Sequence, residues 1–338
     1  MTTTNPQPGR VQHLIELFRQ QMEAEEGAQM ADMANAWLDV ERRLQAQMEL
    51  LAREVADLRA NNQTISRSKL YQLDRYRELL GQAQAETLKY QKWAAAEIAA
   101  RQAEMAKLGV KQSQALIRES YLEAGQVVAR FNLLPVEAIN TMIGFAGNGT
   151  PLHELLMAAY PDAIDRLTGT LIKATAQGIN PRETARQMAR DMSGNLQRSL
   201  TIARTEQIRA YRSAATQQMR ESGVVEGWIW RCALQEGTCM ACLAMDGTEY
   251  GLEEELDDHP NGRCYRQPIV KGLTPLSAQS GADWFANQSE EMQRGMMGDQ
   301  RFEAWQQGQF EFGQLAQVAH SEEWGNSVQV APLEAVIQ

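Results

Sequence analysis

All four cysteines of this 338-residue chain fall between Cys232 and Cys264. Cys239-Met-Ala-Cys242 forms a CxxC knuckle, His259 follows after sixteen residues and Cys264 after four more, giving C-x2-C-x16-H-x4-C. Three thiolates and one imidazole in two close pairs match the needs of a tetrahedral structural Zn2+. Each short spacer wraps one edge of the ion, and the longer connection makes the loop between them. With Cys239, Cys242, His259 and Cys264 all bound, no coordination position is left for a water to be activated, so hydrolytic zinc is disfavoured. Three other readings stay open at this level. The knuckle could be a redox pair, although it is not expected to follow a strand and open a helix as thioredoxin-like motifs do. The cysteines could form disulfides, or they could pack as small hydrophobes. Cys232 lies outside the paired spacing, as a spare thiol or an alternative ligand.

The segment that must position these groups is small. Val224 to Arg231 alternates β-branched and aromatic residues and reads as a strand. Beyond Trp228, Ile229, Trp230, Leu234, Leu243, Tyr250, Leu256 and Tyr265, residues 224–270 offer few large apolar side chains, and Glu253, Glu254, Glu255, Asp257 and Asp258 make the connecting loop acidic. A unit of this size needs a staple. Structural zinc contributes roughly 10–16 kcal/mol of apparent binding energy in finger-type peptides, enough to order it.

Around this module the chain reads as mainly α-helical, with 43% hydrophobic but only 7% aromatic residues. No proline interrupts Gly9 to Leu134, and good helix formers dominate there. Trp37, Leu44, Met48, Leu51, Val55 and Leu58 repeat mostly at spacings of three and four, a coiled-coil-like seam that needs a partner helix. Asn61-Asn62-Gln63-Thr64 breaks it, Ser66 or Ser68 is placed to cap a second long helix carrying Leu70, Leu73, Leu80, Leu88 and Trp93, and a helical hairpin follows. After Gly109 a further helix is expected through Leu116, Ile117, Val127, Val128, Phe131 and Leu134, stopped by Pro135. Gly144, Gly147, Asn148, Gly149 and Pro151 then mark a loop. Three helices are expected over 152–221: one through Leu155, Leu156 and Leu167, one opened by Asn180-Pro181, and one from about Leu196 to Met219. The expected divisions are a disordered 1–10, long helices over 11–134, a helical bundle over 135–223, the small α+β zinc module over 224–270, and a short helical tail pinned by aromatics over 271–338.

Charge is segregated. The net charge is −10, yet residues 166–220 carry ten Arg and Lys against three Asp and Glu, while residues 221–338 carry six against nineteen. The basic stretch suits phosphates or an acidic protein face, and the acidic remainder argues against wholesale coating of DNA. Arg182, Arg186 and Arg190 form a row four residues apart. Arg204 and Arg212 share another helical face, next to Glu206 and Arg209, which are spaced to pair. No apolar run approaches the roughly 20 residues of a membrane span, and the N-terminus lacks signal-peptide features, so a membrane partner is not expected.

Taken in order, Ile202-Ala203-Arg204-Thr205-Glu206, Gly227-Trp228, Thr238-Cys239-x-x-Cys242, Asp246-Gly247, His259-Pro260-Asn261-Gly262-Arg263-Cys264 and Pro268 resemble the Mu F-like head morphogenesis proteins of tailed bacteriophages. The resemblance covers about 150–270. Gly281-Ala282-Asp283-Trp284-Phe285, Arg301-Phe302-Glu303-Ala304-Trp305 and Glu323-Trp324-Gly325 extend it. Many relatives carry a cysteine where Gly262 stands, which leaves Cys264 as the natural fourth ligand. The resemblance implies a non-enzymatic minor capsid protein at the portal vertex of the virion head, assembled in the host cytoplasm. Its implied partners are the portal protein, other head proteins and phage DNA. The resemblance does not extend to residues 1–134, where the apolar seam, read from periodicity alone, leaves the N-terminal helices available for self-association. The rival reading is a zinc-stabilised nucleic-acid-binding protein that uses the basic 166–220 helices. A third is a zinc hydrolase drawing on Asp246 or Glu249.

Overall fold

The computed structural model describes residues 9–141, 143–146, 149–158, 160–274 and 279–337. Residues 1–8 of the expected disordered terminus, and Gly147 and Asn148 of the expected loop, lie outside the described residues. Helices α1 (Arg10–Ala60), α2 (Arg67–Tyr71) and α3 (Asp74–Glu123) come first, followed by α4 (Val136–Asn140), α5 (Leu152–Met157), α6 (Tyr160–Gln177), α7 (Pro181–Met192) and α8 (Gly194–Ser222). Strand β1 (Val225–Arg231), α9 (Met240–Met245), β2 (Glu249–Gly251) and β3 (Tyr265–Val270) form the α+β part. Helices α10 (Gly281–Ala286), α11 (Glu290–Met297) and α12 (Asp299–Gln306), strands β4 (Ala316–Ser321) and β5 (Gly325–Val330), and α13 (Leu333–Val336) complete the chain. The fold is mainly α with a small α+β region, as the composition leads one to expect.

Two compact units share these elements. One contains Ala24–Ala100 and Gly144–Arg204. Its centre is an antiparallel pairing of α1 with α3, fixed by the Trp37–Tyr90 edge contact at 4.9 Å and by ion pairs Arg43–Glu86 (2.8 Å) and Arg75–Glu54 (3.3 Å). The seam residues Trp37, Leu44, Met48, Leu51 and Val55 are all buried, so the stripe finds its partner within the same chain. On α3 the buried face is Tyr76, Leu79, Ala83, Tyr90, Ala94 and Ile98. Leu88, expected on it, is 37% exposed. Leu70 sits on the separate α2: Ser66, expected to cap the second long helix, caps this short one instead, its hydroxyl accepting from the Lys69 amide. The Tyr76 hydroxyl meets Thr168 at 2.8 Å and the Gln91 amide donates to the Leu156 carbonyl at 2.9 Å, which ties α6 and α5 onto α3. Asn180 caps α7 with Pro181 in its first turn, and α6 and α7 pack as a helical pair.

The other unit holds the chain up to Glu23, Arg101–Ile143 and everything from Thr205 onward. Four expectations fail in it. Gly109 does not end a helix: α3 runs through it, and the glycine serves packing, since a Cβ there would lie 2.3 Å from the Tyr211 carbonyl oxygen on α8. Residues 126–134, expected to continue the helix up to Pro135, are not helical. The Gln218 side chain holds them by accepting from the Leu134 amide and donating to the Asn132 carbonyl, each at 2.9 Å. The tail is not purely helical either, since β4 and β5 form an antiparallel hairpin. Nor does residue 270 separate two cores. Trp228, Trp230, Cys242, Leu243 and Cys264 share one apolar cluster with Phe285, Phe302, Leu315, Val328 and Val336. The α+β part offers too little apolar area alone, and the tail supplies the remainder.

Candidate metal centre

Strand β1 is the middle of a three-stranded antiparallel sheet, ordered β2-β1-β3, and it leads into the cysteine knuckle. The buried Asp246 carboxylate fixes the return of the chain by accepting from the Cys232 amide at 2.8 Å and pairing with Arg231 at 3.3 Å. Cys239 is the N-cap of α9 and Cys242 lies within it. The knuckle therefore does open a helix after a strand, contrary to expectation, and that ground for setting aside a redox pair falls away. What distinguishes the motif is the second pair of donors brought to it.

Cys239 Sγ, Cys242 Sγ and a His259 ring nitrogen all lie within 4.8 Å of one another, and Cys242 forms a second such group with Asp258 and Cys264. The two triads share Cys242. All four cysteines and His259 line one cavity of about 110 Å³. Around a tetrahedral zinc with bonds of about 2.0–2.3 Å, donor atoms sit roughly 3.3–3.8 Å apart. Cys242 Sγ and His259 Nε2 are 3.3 Å apart, a spacing compatible with a shared metal ion, while Cys264 belongs to the second group rather than to the one holding Cys239 and His259. His259 Nδ1 lies 2.9 Å from the Pro260 carbonyl. A hydrogen bond there leaves the Nε2 lone pair for a metal, the usual way a protein fixes the tautomer of a ligating imidazole.

Charge in the cluster is uneven. A hydrogen bond from the Cys242 thiol, aided by His259, holds the Cys239 thiol down at about 4, and Cys242 is pushed up by the same partnership. His259 is raised to about 9, chiefly by Cys239. Burial raises the thiols of Cys264 and Cys232. The cluster thus carries an anionic sulfur beside a cationic ring, and metal entry would release the remaining protons.

Helix α8 reaches this loop with two residues. Arg212, only 10% exposed, donates from Nε to the Cys264 carbonyl at 2.7 Å and from Nη2 to the Gly262 carbonyl at 3.0 Å, and it pairs with Asp258 Oδ2 at 2.5 Å. The Thr205 hydroxyl accepts from the Asn261 amide at 3.1 Å. The expected use of Arg212 as an outward contact is therefore corrected: its guanidinium is consumed inside the molecule, because three oxygen acceptors converge on it. Arg204 pairs with Glu26 at 2.7 Å in the other unit. Glu206 and Arg209 pair at 3.0 Å as their spacing predicts, and Arg209 also donates to the Trp324 carbonyl at 2.8 Å, so that pair holds the C-terminal hairpin. Arg182, Arg186 and Arg190 remain exposed along α7, with Arg186 bonded to Glu183.

Asp258 is the residue that spacing missed. It was one of several acids in a loop, whereas in the fold its side chain is fully buried. Its place just before a donor was the available signal, since Asx side chains often accept from the amides that follow them. Asp246 and Glu249, named for a hydrolase, do not join the donor groups: Asp246 is bonded as above and Glu249 is exposed on β2.

Residues 165–266 match the family model for Phage Mu protein F like proteins. The matched span runs from α6 through the whole donor cluster into β3. No curated protein and no solved structure is detectably similar to the chain.

Proposed function

We propose that this chain is a structural head-morphogenesis protein of a tailed phage or prophage, a minor capsid component that associates with the portal vertex during assembly. Its partners are the portal protein and other head proteins, its place is the virion head after assembly in the host cytoplasm, and it has no catalytic role. Cys239, Cys242, His259 and Cys264 would hold one Zn2+ that locks the knuckle to the 258–264 loop and serves as scaffold. The observation that carries this reading is that the family match and the donor cluster coincide: the helix that grips the ligand loop, the knuckle and the loop itself all lie within 165–266. Purification of the full chain with a cognate portal ring tests it. Salt-tolerant co-purification and one zinc per chain by elemental analysis are expected, and absence of both would sink it.

One observation favours a second reading. Arg182, Arg186 and Arg190 stand exposed in a row about 12 Å long on α7, given the helical rise, and residues 166–220 are net basic. In that reading the zinc-stabilised fold presents these helices to phage DNA. DNA retention that falls steeply with salt, and that replacing the three arginines by glutamate abolishes, would favour it over portal assembly.

A further inference from the structure

Among the described residues, the most heavily bonded group at the cluster that is not one of its expected ligands is the Asp258 carboxylate. Oδ1 accepts from the His259 amide at 2.9 Å, and Oδ2 accepts from the Cys264 amide at 3.1 Å as well as from Arg212 at 2.5 Å. It thus binds the backbone of two expected ligands at once. Gly262 completes the arrangement: a Cβ there would fall 2.2 Å from the Asp258 carboxylate atoms, so the carboxylate occupies the space of any side chain at 262. Arg212 closes the loop from the other side through the Gly262 and Cys264 carbonyls.

We propose that Asp258 and Arg212 are positioning residues for the metal, a buried ion pair that holds His259 and Cys264 in their liganding conformation before any ion arrives. This inference rests on the zinc reading above. Asp258 Oδ1 also accepts from the Cys242 thiol at 3.7 Å, so the carboxylate touches three of the expected ligands. Its bonds to the His259 and Cys264 amides are the contacts through which it acts on them, and Co2+ absorption separates that role from direct ligation. A preformed loop lowers the ordering cost of binding, and groups that orient metal ligands in this way typically contribute 10–100-fold to metal affinity.

The test uses the full chain. Zn2+ affinity is measured by competition with a chromophoric chelator, the ligand set is read from Co2+ absorption, and amide hydrogen exchange of residues 258–264 is followed without metal. For Asp258→Asn and Arg212→Gln the expected result is affinity lowered about 10–100-fold, unchanged Co2+ band positions, and faster exchange at the His259 and Cys264 amides. Wild-type affinity in both variants would overturn the inference. So would an altered Co2+ spectrum in Asp258→Asn, which would make Asp258 a ligand, or an unprotected loop in the metal-free wild type, which would make the ion the organiser. Should those variants fail to fold, Arg212→Lys decides: it keeps the charge and loses the fork, so a loss of about tenfold supports the inference and wild-type affinity refutes it. A wild-type chain that takes up neither Zn2+ nor Co2+ defeats the zinc reading itself, an outcome distinct from all of these.

Discussion

The α1–α3 hairpin and the cysteine module both bury a small number of large side chains, but they distribute the work in opposite ways. In the hairpin, Trp37, Leu44, Met48, Leu51 and Val55 recur along a continuous stripe facing Tyr76, Leu79, Tyr90 and Ile98, so burial is spread over many positions. In the module, order converges on a few groups that have no substitute: the donors of the cluster, the Arg212–Asp258 pair that braces their loop and the Arg231–Asp246 pair beneath the knuckle. A stripe fails gradually, whereas a staple fails all at once.

The largest difference between the two regions is expected from Cys242→Ser, since Cys242 belongs to both donor triads. Metal content should fall to background, and amides of the knuckle over 239–246 should lose exchange protection, whereas the 258–264 loop, braced by Asp258 and Arg212, should keep the protection it has without metal. Protection in 24–60 and 74–100 should be unchanged. Collapse of the hairpin as well would show that the two regions are not energetically separate.

Trp37→Ala probes the opposite side. Removing a fully buried indole should cost about 3–5 kcal/mol in urea unfolding of the helical unit, while zinc stoichiometry stays at the wild-type value. Smaller again is Arg209→Ala, which removes the ion pair with the buried Glu206, the bond to the Trp324 carbonyl and the cation–π contact at 5.6 Å. A loss of about 1–3 kcal/mol is expected, seen as faster exchange in 316–330 with metal affinity unaltered. The smallest effect belongs to the exposed row: changing Arg182, Arg186 and Arg190 to Glu should alter stability by only about 0.5 kcal/mol per site, because these side chains lie on the surface. A large thermal shift would mean that they bear structural load.

Much of the hairpin was legible in advance because helical periodicity is a local property. The seam, the break after Ala60, the Ser66 cap and the Asn180-Pro181 start all follow from residues within a few positions of one another. Where prediction failed, the cause was distant in sequence. Gly109 reads as a helix stop until Tyr211, about a hundred residues later, is packed against it. Residues 126–134 carry apolar residues at helical spacing, but the Gln218 side chain claims their backbone. The β4–β5 hairpin was missed because the aromatics around it were read as pins for short helices, although Val318, Val328 and Val330 lie on its strands.

The candidate site divides along the same line. The donor types and their spacing are written in the chain, since a CxxC followed by a His and a Cys four residues apart is a one-dimensional pattern with one favoured chemistry. Sequence alone also determined that the chain is mainly helical, that its charge is segregated, and that its matched segment resembles phage head proteins. Only the tertiary structure decided that Arg212 points inward, that Asp258 braces the ligand loop, and that the module shares its core with the tail. Those facts depend on which distant groups meet in a low-dielectric interior, where an unpaired charge is too costly to leave and each buried acceptor must find its donor. Composition records that such groups exist, and only the packed fold pairs them.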